Sequence, residues 1–281
     1  MELIEHSSEV EIVGVTDFDL PGTFECGQCF RWDADVVGAY TGVACGLAAR
    51  LRREGGSIFI SGTLEDFERV WRGYFDIDRN YGEIRRKLSI DEFMREATEF
   101  GAGIRILRQE RWEALCSFIL SQCNNIPRIK KIISALCREF GDKIEFEGKT
   151  LYTFPPPARL AGLSAADLAP IRCGYRAEYV ISAAKAVFSG DMDLGLLAQE
   201  TPRNARATLK KLRGIGNKVA DCVLLFGLQM MDAFPLDVWM KRAVTEQYGR
   251  DFDPTVFSPY AGIAQQYIFH YVRNGESRVS S

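Results

Sequence analysis

Residues Leu209–Arg242 read LKKLRGIGNKVADCVLLFGLQMMDAFPLDVWMKR, and this stretch decides the fold of the chain. A Leu-x-Gly-Ile-Gly turn at 212–216 separates two segments of helical pattern. The paired glycines let the backbone turn sharply and let another backbone come close. The second helix begins near Asn217, so its unbonded N–H groups point out of the turn, where an anion such as a phosphate is favoured. Lys218 lies just past the turn, and Asp237 follows nineteen residues later after Pro235-Leu236. An ammonium in the first turn of a helix opposes the helix dipole, which favours the neutral amine that a nucleophile needs. Asp237 is placed as a helix N-cap, and a capping carboxylate that faces a pocket can also stabilise developing positive charge. Cys222, four residues after Lys218, shares its helical face. A phosphate cradle beside an amine and a carboxylate suits an enzyme that removes a base from DNA.

The helix before the turn supports this reading. Residues Thr201–Lys218 contain Arg203, Arg206, Lys210, Lys211, Arg213 and Lys218 and no acid. The whole chain carries a net charge of −3 with a pI of about 5.6. Positive charge is therefore concentrated locally rather than spread as in a non-specific DNA-coating protein. Lys210, Lys211, Gly214, Gly216 and Asn217 are the expected phosphate contacts.

The chain has 281 residues, of which 47% are hydrophobic and 26% charged, as in an ordinary globular protein of two or three compact units. No apolar run is long enough to span a membrane, and the acidic start MELIEHSSEVEIV lacks a signal core. The eight cysteines are read as reduced thiols in a cytoplasm. With two histidines, His6 and His270, histidine-based catalysis and a multi-histidine metal site are poorly supported. Cys26-x-x-Cys29 has no second matching pair and is read as incidental. No metal is expected.

The predicted fold is α+β: an N-terminal antiparallel β-sheet domain over 1–104, then a mostly helical domain over 105–281 with the hairpin at about 203–228. Glu9–Val15, Tyr40–Ala44, Ala48–Arg53 and Ser57–Ser61 suit a meander, with Gly55-Gly56 as a hairpin turn. Helices are expected at Thr63–Tyr74, Asn80–Leu88 and Glu110–Cys123, then from Pro127 to Gly141. Residues 142–158 read as loop. Ser164-x-x-Asp167 resembles a capping box. Further helices are expected at 176–189, 202–212, 217–228, 237–248 and 259–273, the last capped by Ser258 with Pro259 at its first position.

LRGIGNKVADCV and FPLDVWM resemble the helix-hairpin-helix base-excision DNA glycosylases. More narrowly, four further motifs resemble the 8-oxoguanine DNA glycosylase family. They are Gly27-Gln28-Cys29-Phe30-Arg31-Trp32, Ser117-Phe118-Ile119 with Asn124-Asn125-Ile126-x-Arg128-Ile129, Gly174-Tyr175-Arg176-Ala177, and Ala261-Gly262-x-Ala264-Gln265 with Phe269. The resemblance implies that Lys218 attacks the sugar C1′ and becomes a Schiff base, with Asp237 as the essential aspartate. It makes the Gly27 carbonyl the acceptor of the extra N7–H of the oxidised base. It places Phe269 and Cys222 on the two faces of the flipped base and Gln265 on its Watson–Crick edge. Arg128 and Arg176 become readers of the orphan cytosine, and Tyr175 the wedge in the emptied stack. Two positions depart from the family: Cys123 stands where it has an asparagine that touches the cytosine, and Trp239 where it has a histidine. Both concern the grip on DNA.

The expected activity is excision of 8-oxoguanine from double-stranded DNA, preferably opposite cytosine, followed by β-elimination 3′ of the site. The alternatives are a non-catalytic helix-hairpin-helix binding module and a sister glycosylase for another damaged base. No cofactor is expected. No cysteine lies beyond Cys222, so the four-cysteine iron–sulfur loop of related glycosylases is not expected either. The chain is expected to act as a monomer without membrane association. With no nuclear-localisation tract, it is expected in a prokaryotic cytoplasm, with the nucleoid.

Overall fold

The computed structural model describes residues 1–279, with side chains described as far as Asn274. The N-terminal part is built on a six-stranded antiparallel sheet of order β1-β2-β6-β5-β4-β3. Its strands are β1 (Glu2–Glu5), β2 (Glu9–Val13), β3 (Trp32–Ala34), β4 (Tyr40–Ala44), β5 (Leu47–Glu54) and β6 (Ser57–Ser61). Alternation buries Val10 and Ile12 of β2, Ala49 and Leu51 of β5, and Ile58 and Ile60 of β6. The β5–β6 hairpin turns at Gly55-Gly56, both at positive φ, as a two-residue primed turn requires. Helix α1 (Leu20–Glu25), capped by Asp19, and the pair α2 (Leu64–Asp66) and α3 (Arg72–Tyr74), joined by a π-turn at Phe67–Trp71, cover this sheet. Phe24 stacks on Trp32 at 4.6 Å between centroids and Trp71 stacks on Phe75 at 5.7 Å.

Helices α4 (Tyr81–Leu88) and α5 (Glu92–Phe100) precede residue 105, yet Tyr81, Ile84, Leu88, Met94 and Ala97 are buried in the helical core. That core also takes α6 (Arg111–Ser121) and α7 (Ile126–Phe140), the second capped by the Asn125 side chain on Arg128 N–H. The expected loop at 142–158 is in part a hairpin, β7 (Lys143–Phe146) and β8 (Lys149–Tyr152), turning at Glu147-Gly148. The pair is short and no residue in it is fully buried; β7 alternates Ile144 and Phe146 with Lys143 and Glu145, but over four residues only. Helix α8 (Pro157–Ala161) follows. Ser164 and Asp167 bond as a box, the Ser164 N–H and hydroxyl both donating to Asp167, but only a turn and a short 3-10 segment at Ala169–Ile171 follow.

The remaining helices are α9 (Arg176–Ser189), α10 (Leu194–Leu197), α11 (Pro202–Leu209), α12 (Asn217–Cys222), α13 (Val238–Tyr248) and α14 (Ala261–Val279). Helix α11 ends three residues short of the expected 212, and α12 passes at Val223–Gly227 into a π-turn. The expected cap at Ser258 is corrected: Ser258 ends a 3-10 turn at Pro254–Phe257, and α14 starts only at Ala261. Residues 280 and 281 of the expected helical domain lie outside the described residues. No helix among the described residues is long and apolar enough to cross a membrane.

Candidate active site

Helix α11, the turn at 210–216 and α12 form the hairpin, held to the core by Leu209, Leu212, Ile215 and Val219, all buried. Gly214 sits at φ +83, and Gly216 begins α12 with no side-chain cap. The space around a Cβ at Gly216 is open to at least 4 Å. The first N–H groups of α12 are thus uncapped and unobstructed, as an approaching phosphate needs. Lys210, Lys211 and Asn217 are exposed along the same turn. Tertiary packing neutralises part of the basic run: Arg206 pairs with Asp221 at 2.6 Å and Arg213 with Glu178 at 2.8 Å. Burial pushes the Asp221 carboxyl up, and the Arg206 guanidinium counters it.

Lys218 lies on the first turn of α12, partly buried, with Nζ 5.5 Å from the centroid of the Phe118 ring on α6. The buried thiol of Cys222 lies one turn on, beside it. Burial raises the Cys222 pKa, and the neighbouring ammonium pulls it partly back. Asp237 caps α13, accepting from Met240 N–H at 2.8 Å. Lys218, Cys222 and Asp237 line one cavity of about 50 Å³ together with Gly27, Gln265 and Phe269. Four separate segments of the chain therefore bring to one place the six residues expected at the reacting base and sugar. Lys218 and Asp237 also line the adjoining cleft of about 840 Å³, so the amine and the carboxylate sit where cavity and cleft meet.

Gly27 follows α1 at φ +82, a conformation for which glycine is suited. A Cβ there would fall 3.2 Å from Ile126 Cδ1 and 3.7 Å from Phe269 Cε1. Two glutamines hold this loop, and neither had been given a role from sequence. Gln28, fully buried, donates to the Thr23 and Arg105 carbonyls at 2.9 and 2.7 Å and accepts from Leu107 N–H at 2.9 Å. Gln266 donates to the Cys26 carbonyl at 2.9 Å. The only sequence signal was their position beside Gly27 and Gln265. Gln265 is itself 5% exposed, and its Oε1 has no hydrogen-bond partner. A buried unpaired acceptor costs free energy unless a ligand satisfies it.

The four residues expected at the opposite base lie apart from this cavity. Cys123 lines the cleft, exposed, at φ +50. Tyr175 is half exposed at the start of α9, and burial together with the neighbouring Cys123 raises its pKa. Arg128 is exposed on the first turn of α7. Arg176 is buried, its guanidinium 4.4 Å from the Tyr175 ring centroid. It donates to the carbonyls of Gln122 (Nε, 2.7 Å), Cys173 (3.3 Å) and Cys123 (3.4 Å), so here it braces the loop that presents Cys123. Cys26 and Cys29 are free and buried, each donating to a backbone carbonyl of α1, and burial pushes the Cys26 thiol up to about 11. Among the described residues, no three His, Cys, Asp or Glu side chains converge as a metal site.

A helix-hairpin-helix unit whose second helix offers a lysine to an aspartate-capped cavity defines a base-excision DNA glycosylase of the lyase type. Comparison with known proteins agrees. Residues 12–115 match the 8-oxoguanine DNA glycosylase N-terminal domain, and residues 116–256 match the HhH-GPD superfamily of base excision DNA repair proteins. MBOgg1, solved in complex with a low-affinity DNA ligand, is 44% identical, with TM-score 0.94 over 98% of this chain and 99% of that one. The 8-oxoguanine glycosylase/lyase of Clostridium acetobutylicum, solved with double-stranded DNA containing cytosine opposite 8-oxoG, is 35% identical, with TM-score 0.93 and the same coverage. The N-glycosylase/DNA lyase of Saccharomyces cerevisiae is 36% identical over 52% of this chain, a match that spans 42% of the yeast protein. The chain belongs to the 8-oxoguanine DNA glycosylase family of the HhH-GPD superfamily, and it is a DNA glycosylase with lyase activity at abasic sites.

Proposed function

We propose that this enzyme flips 8-oxoguanine out of duplex DNA, preferring cytosine opposite, excises it through a Schiff base on Lys218, and nicks the strand by β-elimination. The carrying observation is the meeting of Lys218, Cys222, Asp237, Gly27, Gln265 and Phe269 around one cavity.

A base stacked in a duplex is out of reach, so the nucleotide must be extruded at a cost of a few kcal/mol. Tyr175 fills the gap it leaves. The cavity of about 50 Å³ is too small for a purine, so the pocket opens on entry, with the partly exposed Phe269 ring the side chain at its edge. Gln265 Oε1 then gains the donor it lacks, and a base edge without that donor leaves it unpaired. The Gly27 carbonyl accepts the N7–H that oxidised guanine has and guanine lacks. Buried polar mismatches of this kind discriminate strongly.

In the chemical step the Lys218 amine bonds to C1′ as the C1′–N9 bond breaks and its electrons leave with the base. Asp237 stabilises positive charge on the sugar while that bond breaks. Opening of the sugar ring gives the imine. Loss of a C2′ proton then expels the 3′ phosphate, which nicks the strand. Every group in this scheme belongs to one chain and no cofactor is called for, which supports action as a monomer.

The test is borohydride reduction during incubation with a duplex holding 8-oxoguanine opposite cytosine. A covalent protein–DNA adduct is expected from the wild type and none from Lys218→Gln, which should still bind the duplex. An adduct of full yield from Lys218→Gln would overturn the assignment. Adducts on a duplex with a different lesion but not on this one would favour a sister specificity.

A further inference from the structure

The chain has four tryptophans. Trp32 and Trp71 are fully buried, and Trp112 is half-buried with its indole N–H donated to the Pro155 carbonyl at 2.9 Å. Trp239 is different. It is 63% exposed on the first turn of α13, beside Val238 at 82%. It lines the large cleft two residues past Asp237, and no ring contact or cation–π pair among the described residues involves it. An aromatic side chain of this size left in water at the mouth of a site offers a flat apolar face to whatever enters the cleft.

The charges around it identify the occupant. The cleft is also lined by Lys218, Lys241 and Arg206. Arg206 is spent on Asp221 at 2.6 Å, so the cleft's remaining charges are Lys218 and Lys241 against the single carboxylate of Asp237, which caps α13. Lys241 is exposed and pairs with no carboxylate among the described residues. A cationic cleft with a flat aromatic wall is the arrangement that holds a nucleic-acid strand, where the cations follow phosphates and the ring stacks on a base or sugar. Lys218 has to reach C1′ of the extruded nucleotide, so the strand in the cleft is the damaged one.

Resting on the glycosylase reading, we infer that Trp239 is a stacking platform for the damaged strand at a nucleotide next to the extruded one. It is a positioning residue and touches no reacting atom. Stacking needs no complementary strand, so the enzyme should grip an abasic site in single-stranded DNA through Trp239 as well.

The probes are a duplex and a single-stranded oligonucleotide, each carrying a tetrahydrofuran abasic analogue. Intrinsic fluorescence of the wild type should fall on saturation, since the other three tryptophans are buried or half-buried, and this change should be lost in Trp239→Phe. Trp239→Phe should keep its affinity. Trp239→Ala should weaken single-strand binding by about fivefold to hundredfold, the range expected for one base–aromatic stack. The slope of affinity against salt should not move, because no charge is removed. Unchanged fluorescence at saturation, or full affinity in Trp239→Ala, would overturn the inference. Wild-type borohydride trapping under the same conditions separates the two levels. Trapping without quenching removes only the role of Trp239, whereas absence of trapping removes the glycosylase reading beneath it.

Discussion

The ring of Tyr179 on α9 occupies the place where Gly214 would carry a side chain: a Cβ there would lie 2.3 Å from Tyr179 Cδ2. The hairpin turn therefore packs on α9 through a bare backbone, and φ +83 at the same residue adds a second reason for glycine. Gly214→Ala should cost about 1–3 kcal/mol, from strain and overpacking together. Gly216 is at φ −93 with open space around it, so Gly216→Ala should melt like the wild type. It should nonetheless bind damaged and undamaged DNA more weakly, since the added methyl stands where a phosphate approaches. Thermal melting with DNA titration checks both, and equal melting of the two variants would contradict the packing argument.

Asp237→Asn tests the carboxylate apart from the cap. The amide oxygen can still accept from Met240 N–H, now bonded at 2.8 Å. Lesion binding should persist, while single-turnover excision falls by about 10²–10³-fold, the range seen on removing one electrostatic stabiliser of a transition state. A wild-type rate would show that Asp237 only caps α13.

Lys210 and Lys211 are exposed and form no ion pair among the described residues, unlike Arg206 and Arg213. Replacing both by Ala should weaken damaged and undamaged DNA alike and lower the slope of log affinity against log salt by about 1.8, at ~0.9 per phosphate contact. A loss confined to damaged DNA would assign them to lesion recognition instead. Arg206→Ala should act on stability, because it strips a buried carboxylate of its cation.

Cys123 holds a left-handed backbone at φ +50, where asparagine is more at ease than most residues. Its thiol is a weak donor and acceptor. Cytosine preference should therefore be present but soft. Cys123→Asn should sharpen it, and Arg176→Ala, by releasing the loop that carries Cys123, should relax it. Single-turnover rates with the lesion opposite each of the four bases give the answer, and equal rates opposite cytosine and adenine in the wild type would deny opposite-base reading.

Arg31 and Glu113 form a nearly buried ion pair at 2.9 Å, and Arg31 also donates to the Tyr152 carbonyl. Glu113→Gln keeps the shape of the side chain and removes its charge, as protonation does, so it should change stability little at neutral pH. Burial raises the Glu113 pKa above 4.5, with Arg31 opposing. The folded chain thus takes up this proton before the unfolded chain does. The cost of burying the carboxylate is present at neutral pH and is relieved as pH falls through the folded pKa towards 4.5. The wild type should gain stability relative to Glu113→Gln over that interval on acidification. A relative loss there would mean the pair holds the carboxyl down.

Much of the site was legible in the linear chain. The Gly-Ile-Gly turn, Lys218 and Asp237 belong to short-range patterns, since turn geometry, helix capping and a dipole need only neighbouring residues. The helices 176–189 and 237–248 were legible for the same reason, within a residue at each end. Helix α5 was readable too, from Asp91 as cap and the buried Met94 and Ala97, yet was not anticipated. The pair β7 and β8 is short and at most half-buried, and the four-residue alternation of Ile144 and Phe146 in β7 was too brief to set it apart from loop. What tertiary structure alone decided is which groups face one another. It brought Gly27, Lys218, Asp237 and Gln265 to one cavity across more than two hundred residues of chain. It spent Arg206 and Arg213 on distant acids, placed Arg176 beneath Cys123, and left Trp239 uncovered beside the site. Such pairings depend on distance and burial in the folded state, and neither is encoded in the spacing of residues along the chain.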